Sequence, residues 1–159
     1  MTALKDHVEQ WLYREARLAD DFELDAWLGL WDDKDVLYWV PCNKDDVNPK
    51  RELSIIYDNR ARLELRVARL KSGMAWTQEP RSRLRRMLAN IEVEDHKDYM
   101  VALANFHITE LRQNKPGYET WVGRTECRLR PRGDDYRLFF KKVLLINNDQ
   151  EMTQLSFLI

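Results

Sequence analysis

Apolar side chains follow two different periods along this chain, helical at the start and strand-like in the second half. Leu4, Val8, Trp11, Leu12, Glu15, Ala16, Leu18 and Ala19 fall largely at i, i+4, i+7, i+8 spacing. That spacing predicts one amphipathic helix from about Thr2, which could cap it, to Ala19. Asp20 and Asp21 interrupt the stripe, and Phe22, Ala26, Trp27, Leu30 and Trp31 predict a second, shorter helix against the first. After a polar turn at Asp32, Asp33 and Asp35, VLYWVP reads as a strand ended by Pro41, because proline cannot donate to a ladder. Asn43 to Pro49 is loop by composition. From about Tyr57 to Lys71, Leu63, Val67 and Leu70, with Ile56 and Arg60 one turn earlier, predict one face of a third helix. Gly73 is placed for a left-handed cap, and Met74 to Pro80 reads as a connector around Trp76.

The period then changes to two. Met87, Ala89, Ile91 and Val93 alternate with polar neighbours, as do Met100, Ala102, Ala104, Phe106 and Ile108, and Trp121, Gly123, Thr125, Cys127 and Leu129. Tyr136 to Asn147 makes a fourth long strand, and turns are expected at His96 to Asp98, Gln113 to Gly117 and Pro131 to Asp135. Consecutive strands joined by short turns make an antiparallel meander. The pattern predicts a single α+β domain over residues 1–159, its helices packed in the concave side of one curved sheet.

Charge changes this picture locally. Lys50 to Arg86 carries eleven basic against four acidic side chains, in a chain whose net charge is −1. A basic stretch of that kind calls for an acidic partner. Nucleic acid is the competing expectation, set aside because the arginines interleave with Leu, Val and Met at core spacing and no recognition helix or stacking platform motif is present. The N-terminus lacks the apolar region of a signal peptide, and no apolar run approaches the roughly 20 residues of a membrane span, which points to a cytoplasmic protein.

The inventory of chemistry is sparse. Cys42 and Cys127 are far apart and read as free thiols. His7, His96 and His107 form no metal-ligand spacing with one another or with cysteine, so neither an iron–sulfur centre nor a mononuclear iron site is expected in this chain. Nucleotide-binding and hydrolase motifs are absent. Asp58 could act as a base inside a cone, but pairing with a nearby arginine is the better expectation. Trp11, Trp27 and Trp31 lie on helical stripes and read as core; Trp76, among arginines, has the composition of an interface centre.

Several pieces, taken together in order and spacing, resemble the small (beta) subunit of aromatic-ring-hydroxylating dioxygenases. They are WLYREARLADDFELDAWLGL from Trp11, YWVP at Tyr38 to Pro41, Tyr57-Asp58-Asn59-Arg60, RVARL at Arg66 to Leu70, PRSR at Pro80 to Arg83 with Asn90, and the end from Lys141 to Ile159. The resemblance implies a cone-like fold similar to nuclear transport factor 2 and ketosteroid isomerase. It implies an assembly subunit without catalytic residues or metal, paired with an alpha subunit that holds a Rieske [2Fe-2S] cluster and a mononuclear Fe(II). It further implies an alpha3beta3 hexamer with a beta trimer, fed with electrons from NADH through a separate reductase, and a reaction that dihydroxylates an aromatic ring. The short N-terminus resembles members acting on benzoate-type or anthranilate-type acids. On this footing Arg60, Arg66, Trp76, Arg81, Arg83 and Arg86 are the expected subunit contacts, and the apolar LSFLI at the end of the chain is a further one. The alternative is a stand-alone cone-fold isomerase or dehydratase, which needs an acid and a base converging in an open cavity.

Overall fold

The computed structural model describes residues 2–43, 48–51, 53–73 and 81–159. Helix α1 (Thr2–Asp20) and the short α2 (Leu24–Leu28) lead into β1 (Leu37–Pro41) and β2 (Ser54–Asp58); α3 (Arg60–Lys71) precedes β3 (Arg83–Asp95), β4 (Met100–Leu111), β5 (Tyr118–Arg132) and β6 (Asp135–Leu145). The six strands form one sheet in the order β2-β1-β6-β5-β4-β3. All neighbours are antiparallel except β1 and β6, which run parallel with Trp39 opposite Lys142.

The helices cover the inner face of the sheet, as the alternating pattern predicts. Phe106, Ile108, Trp121, Cys127, Leu129, Leu138 and Val143 line that face, and Val8, Trp11, Leu12, Trp27 and Trp31 close over it. Trp27, Trp31 and Tyr38 pack as three edge-on or tilted rings with centroids 5.7 to 6.0 Å apart, a geometry that matches ring quadrupoles. Gly123 has no alternative on β5. A Cβ there would stand 2.2 Å from the Leu144 carbonyl oxygen and 2.9 Å from the ring of Phe106, which lies over the glycine.

Three features depart from the sequence expectation. Residues 54–58 form a strand instead of the first turn of α3, so Ile56 reaches the core from β2 rather than along a helical stripe. Asn59 sets the boundary: its backbone is extended and its side chain accepts from the Arg62 amide at 3.0 Å, a true N-cap. On β3 the alternation changes phase. The register against β4 shifts between Ala89 and Glu92, and Asn90 sits there with φ +54°, the mark of a β-bulge. Before the bulge Leu84, Arg86 and Leu88 face inward; after it Ile91 and Val93 do. Met87, expected inward, is therefore 64% exposed. Finally, the apolar end of the chain is not a free contact surface. Phe157, Leu158 and Ile159 are buried in the chain's own core, with Phe157 edge-on to Trp121.

Candidate subunit interface

Two kinds of charge occupy this fold, one inside the cone and one on its surface. Glu15 is the lone acid in the apolar stripe of α1, and it points at Lys141 of β6, Nζ to Oε1 2.7 Å, with both side chains buried. Trp27 Nε1 donates to the same carboxylate oxygen at 2.8 Å. Burial alone would raise the Glu15 carboxyl, but the charges of Lys141 and Arg86, with the two hydrogen bonds, hold it below the ordinary glutamate range. Burial likewise opposes the Lys141 ammonium, and Glu15 outweighs it, so Lys141 sits above its ordinary range. The pair is ionised and internally satisfied. Beside it, burial pushes the Cys127 thiol up to about 12, an inert form. The Tyr38 hydroxyl donates to the Ile159 carbonyl at 2.5 Å and accepts from its amide at 2.9 Å. The void left among Glu15, Arg86, Phe106, Thr125, Cys127 and Lys141 is about 20 Å³, room for about one water. An acid and a base do converge in the cone, but on each other and with no space for a substrate.

The expected contact arginines divide between the two environments. Arg86 faces inward because it shares the phase of Leu84 and Leu88. Its Nε lies 2.7 Å from Asp20, its amide donates to the same carboxylate, Nη2 donates to the Leu158 carbonyl, and the side chain is 4% exposed. It closes an internal pair beneath α1, among the charges that hold the subunit together. Arg66 forks onto buried Asp58 through Nε and Nη2, the pairing expected of that carboxylate. Arg60 bonds Glu64 at 2.7 Å and the Asp32 carbonyl at 3.0 Å, so both α3 arginines are half-buried and engaged at home. Arg81 and Arg83 are exposed at the start of β3. Arg81 lies 4.5 Å over the Phe22 ring, and the Arg83 guanidinium has no ion pair among the described residues. Trp76 lies outside the described residues.

Sequence reasoning did not single out Arg62, Leu65 and Arg69, which are exposed on the outer, basic face of α3. The signal was present: Leu65 is out of phase with Leu63, Val67 and Leu70. It also missed the outer face of the sheet, which no helix among the described residues covers. There Trp39, Phe140, Val101 and Leu103 alternate across strands with Lys142, Arg128 and Glu126. Lys142 lies 4.6 Å over Trp39, Arg128 4.3 Å over Phe140 and Arg130 4.0 Å over Phe139. No group of three His, Cys, Asp or Glu side chains that could hold a metal occurs among the described residues. His7 packs on Tyr136, His96 stacks on Tyr99, and His107 faces outward.

Residues 14–151 match the family model described as the ring hydroxylating beta subunit. The chain belongs to that family. It is 33% identical over 147 residues to the anthranilate 1,2-dioxygenase small subunit of Acinetobacter baylyi, covering 89% of this chain and 88% of that one. It is 30% identical over 154 residues to the toluate 1,2-dioxygenase subunit beta of Pseudomonas putida, covering 93% of each. Among solved structures, the beta subunit of benzoate 1,2-dioxygenase from Burkholderia mallei aligns with TM-score 0.72 at 32% identity, over 88% of this chain and 89% of that one. An NTF2-like protein with a cystatin-like fold from Novosphingobium aromaticivorans, 14% identical, aligns with TM-score 0.61 over 91% and 83%. The fold of this beta subunit is thus the cone expected from the sequence, with its interior closed by side chains.

Proposed function

We propose that the chain is the small, non-catalytic assembly subunit of an aromatic-ring-hydroxylating dioxygenase in the bacterial cytoplasm. The observation that carries this reading is the filled cone. In a fold whose concavity is a natural ligand site, the convergent acid and base neutralise each other and leave about 20 Å³. The membership of the chain in the beta-subunit family gives the alternative role. Anthranilate, toluate and 2-halobenzoate dioxygenases among its relatives support a monocyclic aromatic acid as substrate. Catalysis then belongs to a large subunit holding a Rieske cluster and a mononuclear iron, supplied with electrons from NADH by a reductase.

In this reading the small subunits form a trimer that holds three large subunits in place. The outer sheet face, rich in cation–aromatic pairs, has interface composition, and we assign it to contact between small subunits. The exposed Arg81 and Arg83 remain assigned to subunit contact. Expressing the chain alone and with a large subunit tests the assignment. The isolated chain should bind no stoichiometric iron and consume no oxygen with an aromatic acid, and activity should appear only on co-assembly. Turnover without a large subunit would overturn it.

A further inference from the structure

Part of the interior of the cone is filled by a piece of chain that belongs to no helix or strand. β6 ends at Leu145, and from Glu151 to Ile159 the backbone makes no hydrogen bond to another backbone group among the described residues. Side chains hold it instead. At its exposed start the Thr153 hydroxyl donates to Glu119 at 2.8 Å, and Arg112 donates to the Gln154 carbonyl at 2.8 Å. At its buried end Arg86 Nη2 donates to the Leu158 carbonyl at 2.8 Å, and the Tyr38 hydroxyl pairs with both backbone polar groups of Ile159. Phe157 stands edge-on to Trp121 with centroids 5.5 Å apart, and Ile159 borders the small void beside Glu15 and Lys141.

Two observations mark residues 157–159 as a ligand held by the fold. First, Trp121, Arg86 and Tyr38 belong to three different strands, β5, β3 and β1, and meet Phe157, Leu158 and Ile159 in turn. Second, the Tyr38 hydroxyl is fully buried and both of its hydrogen bonds go to Ile159. The rest of the fold thus keeps a donor and an acceptor for a peptide unit, and uses them on nothing else among the described residues. Apolar side chains in pockets, with the main chain bonded group by group, are the means by which an extended peptide is recognised. We propose that the cone is a binding site for an extended apolar peptide, and that Phe157-Leu158-Ile159 is its ligand, supplied by the same chain. Residues 151–156 are the tether. A short tether gives the three residues a local concentration of about millimolar, so a modest affinity keeps the site filled. Once the tether is cut, the segment exchanges with a free peptide of the same chemistry: an aromatic side chain, two aliphatic ones, and carbonyls that accept from Arg86 and Tyr38. A groove of about 450 Å³ beside Gln154, Leu155 and Phe157 is the way in from the surface. The site belongs to this chain alone and is the same with or without a large subunit.

The test keeps the full chain until it has folded. A site-specific protease sequence is inserted between Gln150 and Glu151, both exposed, and the purified protein is cleaved there. The cleaved protein should keep its circular dichroism spectrum, and a fluorescently labelled peptide of residues 151–159 should displace the cut fragment, read by anisotropy. The same peptide with Phe157→Asp and Ile159→Asp should not bind. In the Tyr38→Phe chain, where the ring stays and both hydrogen bonds go, the unaltered peptide should bind about ten-fold more weakly. From the ligand side, a peptide N-methylated at the Ile159 amide should lose affinity for the unaltered chain, a readout that needs no change to the fold. A fragment released only when the sheet unfolds, equal binding of the Asp-bearing peptide, or full affinity of the N-methylated peptide would overturn the proposal.

Discussion

Arg83 and Arg86 stand three residues apart on β3 and meet opposite surroundings. An odd separation on a strand puts two side chains on opposite faces. Arg86 lies under α1 against Asp20, with its guanidinium 4% exposed, whereas Arg83 is open to solvent. The same contrast divides the whole molecule. Glu15 with Lys141, Arg86 with Asp20 and Asp58 with Arg66 knit the helices to the sheet, while Arg62, Arg69 and Arg83 leave positive charge on the surface. A basic run in a sequence therefore mixes charges that hold the subunit together with charges free to meet another molecule. Strand phase and helix face, rather than the number of arginines, separate the two.

The sharpest way to test the interior half of this division is to break its most buried pair. Glu15→Ala leaves the Lys141 ammonium uncompensated in the core and should destabilise the chain by about 3–5 kcal/mol in urea unfolding. The double replacement Glu15→Leu/Lys141→Met removes both charges and should recover most of that loss. A double variant as unstable as the single one would mean that the pair matters for shape rather than charge. The same pair fixes a pH response. Glu15 is held below its ordinary range, so its stabilisation is complete above the unfolded value of about 4.3 and is lost as pH falls through the lower folded value. Lys141 is held above its range, so its contribution is complete below about 10.4 and is lost only as pH rises through the higher folded value. Stability should therefore plateau between those limits, and the part of the acid limb due to Glu15 should vanish in the double variant.

Arg86→Ala comes next, with a loss of similar kind because it strands the buried Asp20 carboxylate and removes a donor to the Leu158 carbonyl. It should lower the unfolding midpoint of the isolated chain. An unchanged midpoint would return Arg86 to the surface set.

Much of this architecture is legible in the residue pattern, for a reason particular to β4 and β5. Met100 to Ile108 and Trp121 to Leu129 each keep one face in the core and one outside, so alternation reports them directly. β2 escapes because Ser54–Asp58 is short and abuts α3, where Ile56 happens to fall in helical phase. The bulge at Asn90 hides the true phase of β3: the pattern read backward from Ile91 and Val93 puts Met87 inside and Arg86 outside, and the fold does the reverse. Leu84 and Leu88 carried the opposite signal. Glu15 stood in plain view as an acid within an apolar stripe, but its partner is 126 residues away on β6, a distance that no local pattern spans.

Asn90 offers an intermediate test of what sets that phase. Its φ of +54° is the region that Asn tolerates and most side chains do not. Asn90→Ala should cost about 1 kcal/mol, and Asn90→Gly should be neutral or slightly stabilising. If Asn90→Ala were neutral, the bulge would not be held by this residue, and the inward turn of Arg86 would need another cause.

The smallest effect on folding is expected at Arg83, and it is the one that separates the two halves of the comparison. Arg83→Glu alters an exposed side chain without an ion pair among the described residues, so the unfolding free energy of the isolated chain should stay within about 0.5 kcal/mol of wild type. Its partner Arg86 cannot be reversed without stranding Asp20. If the exposed charge serves assembly, Arg83→Glu should lower the yield of complex recovered with a large subunit, and added salt should weaken the wild-type complex toward the variant, because rim charges are screened over about 10 Å at 0.1 M ionic strength. A variant that folds and assembles like wild type would remove Arg83 from the contact and leave the surface charge to Arg62, Arg69 and Arg81. A variant that unfolds would show that the edge of β3 is held by its charges as firmly as the interior is.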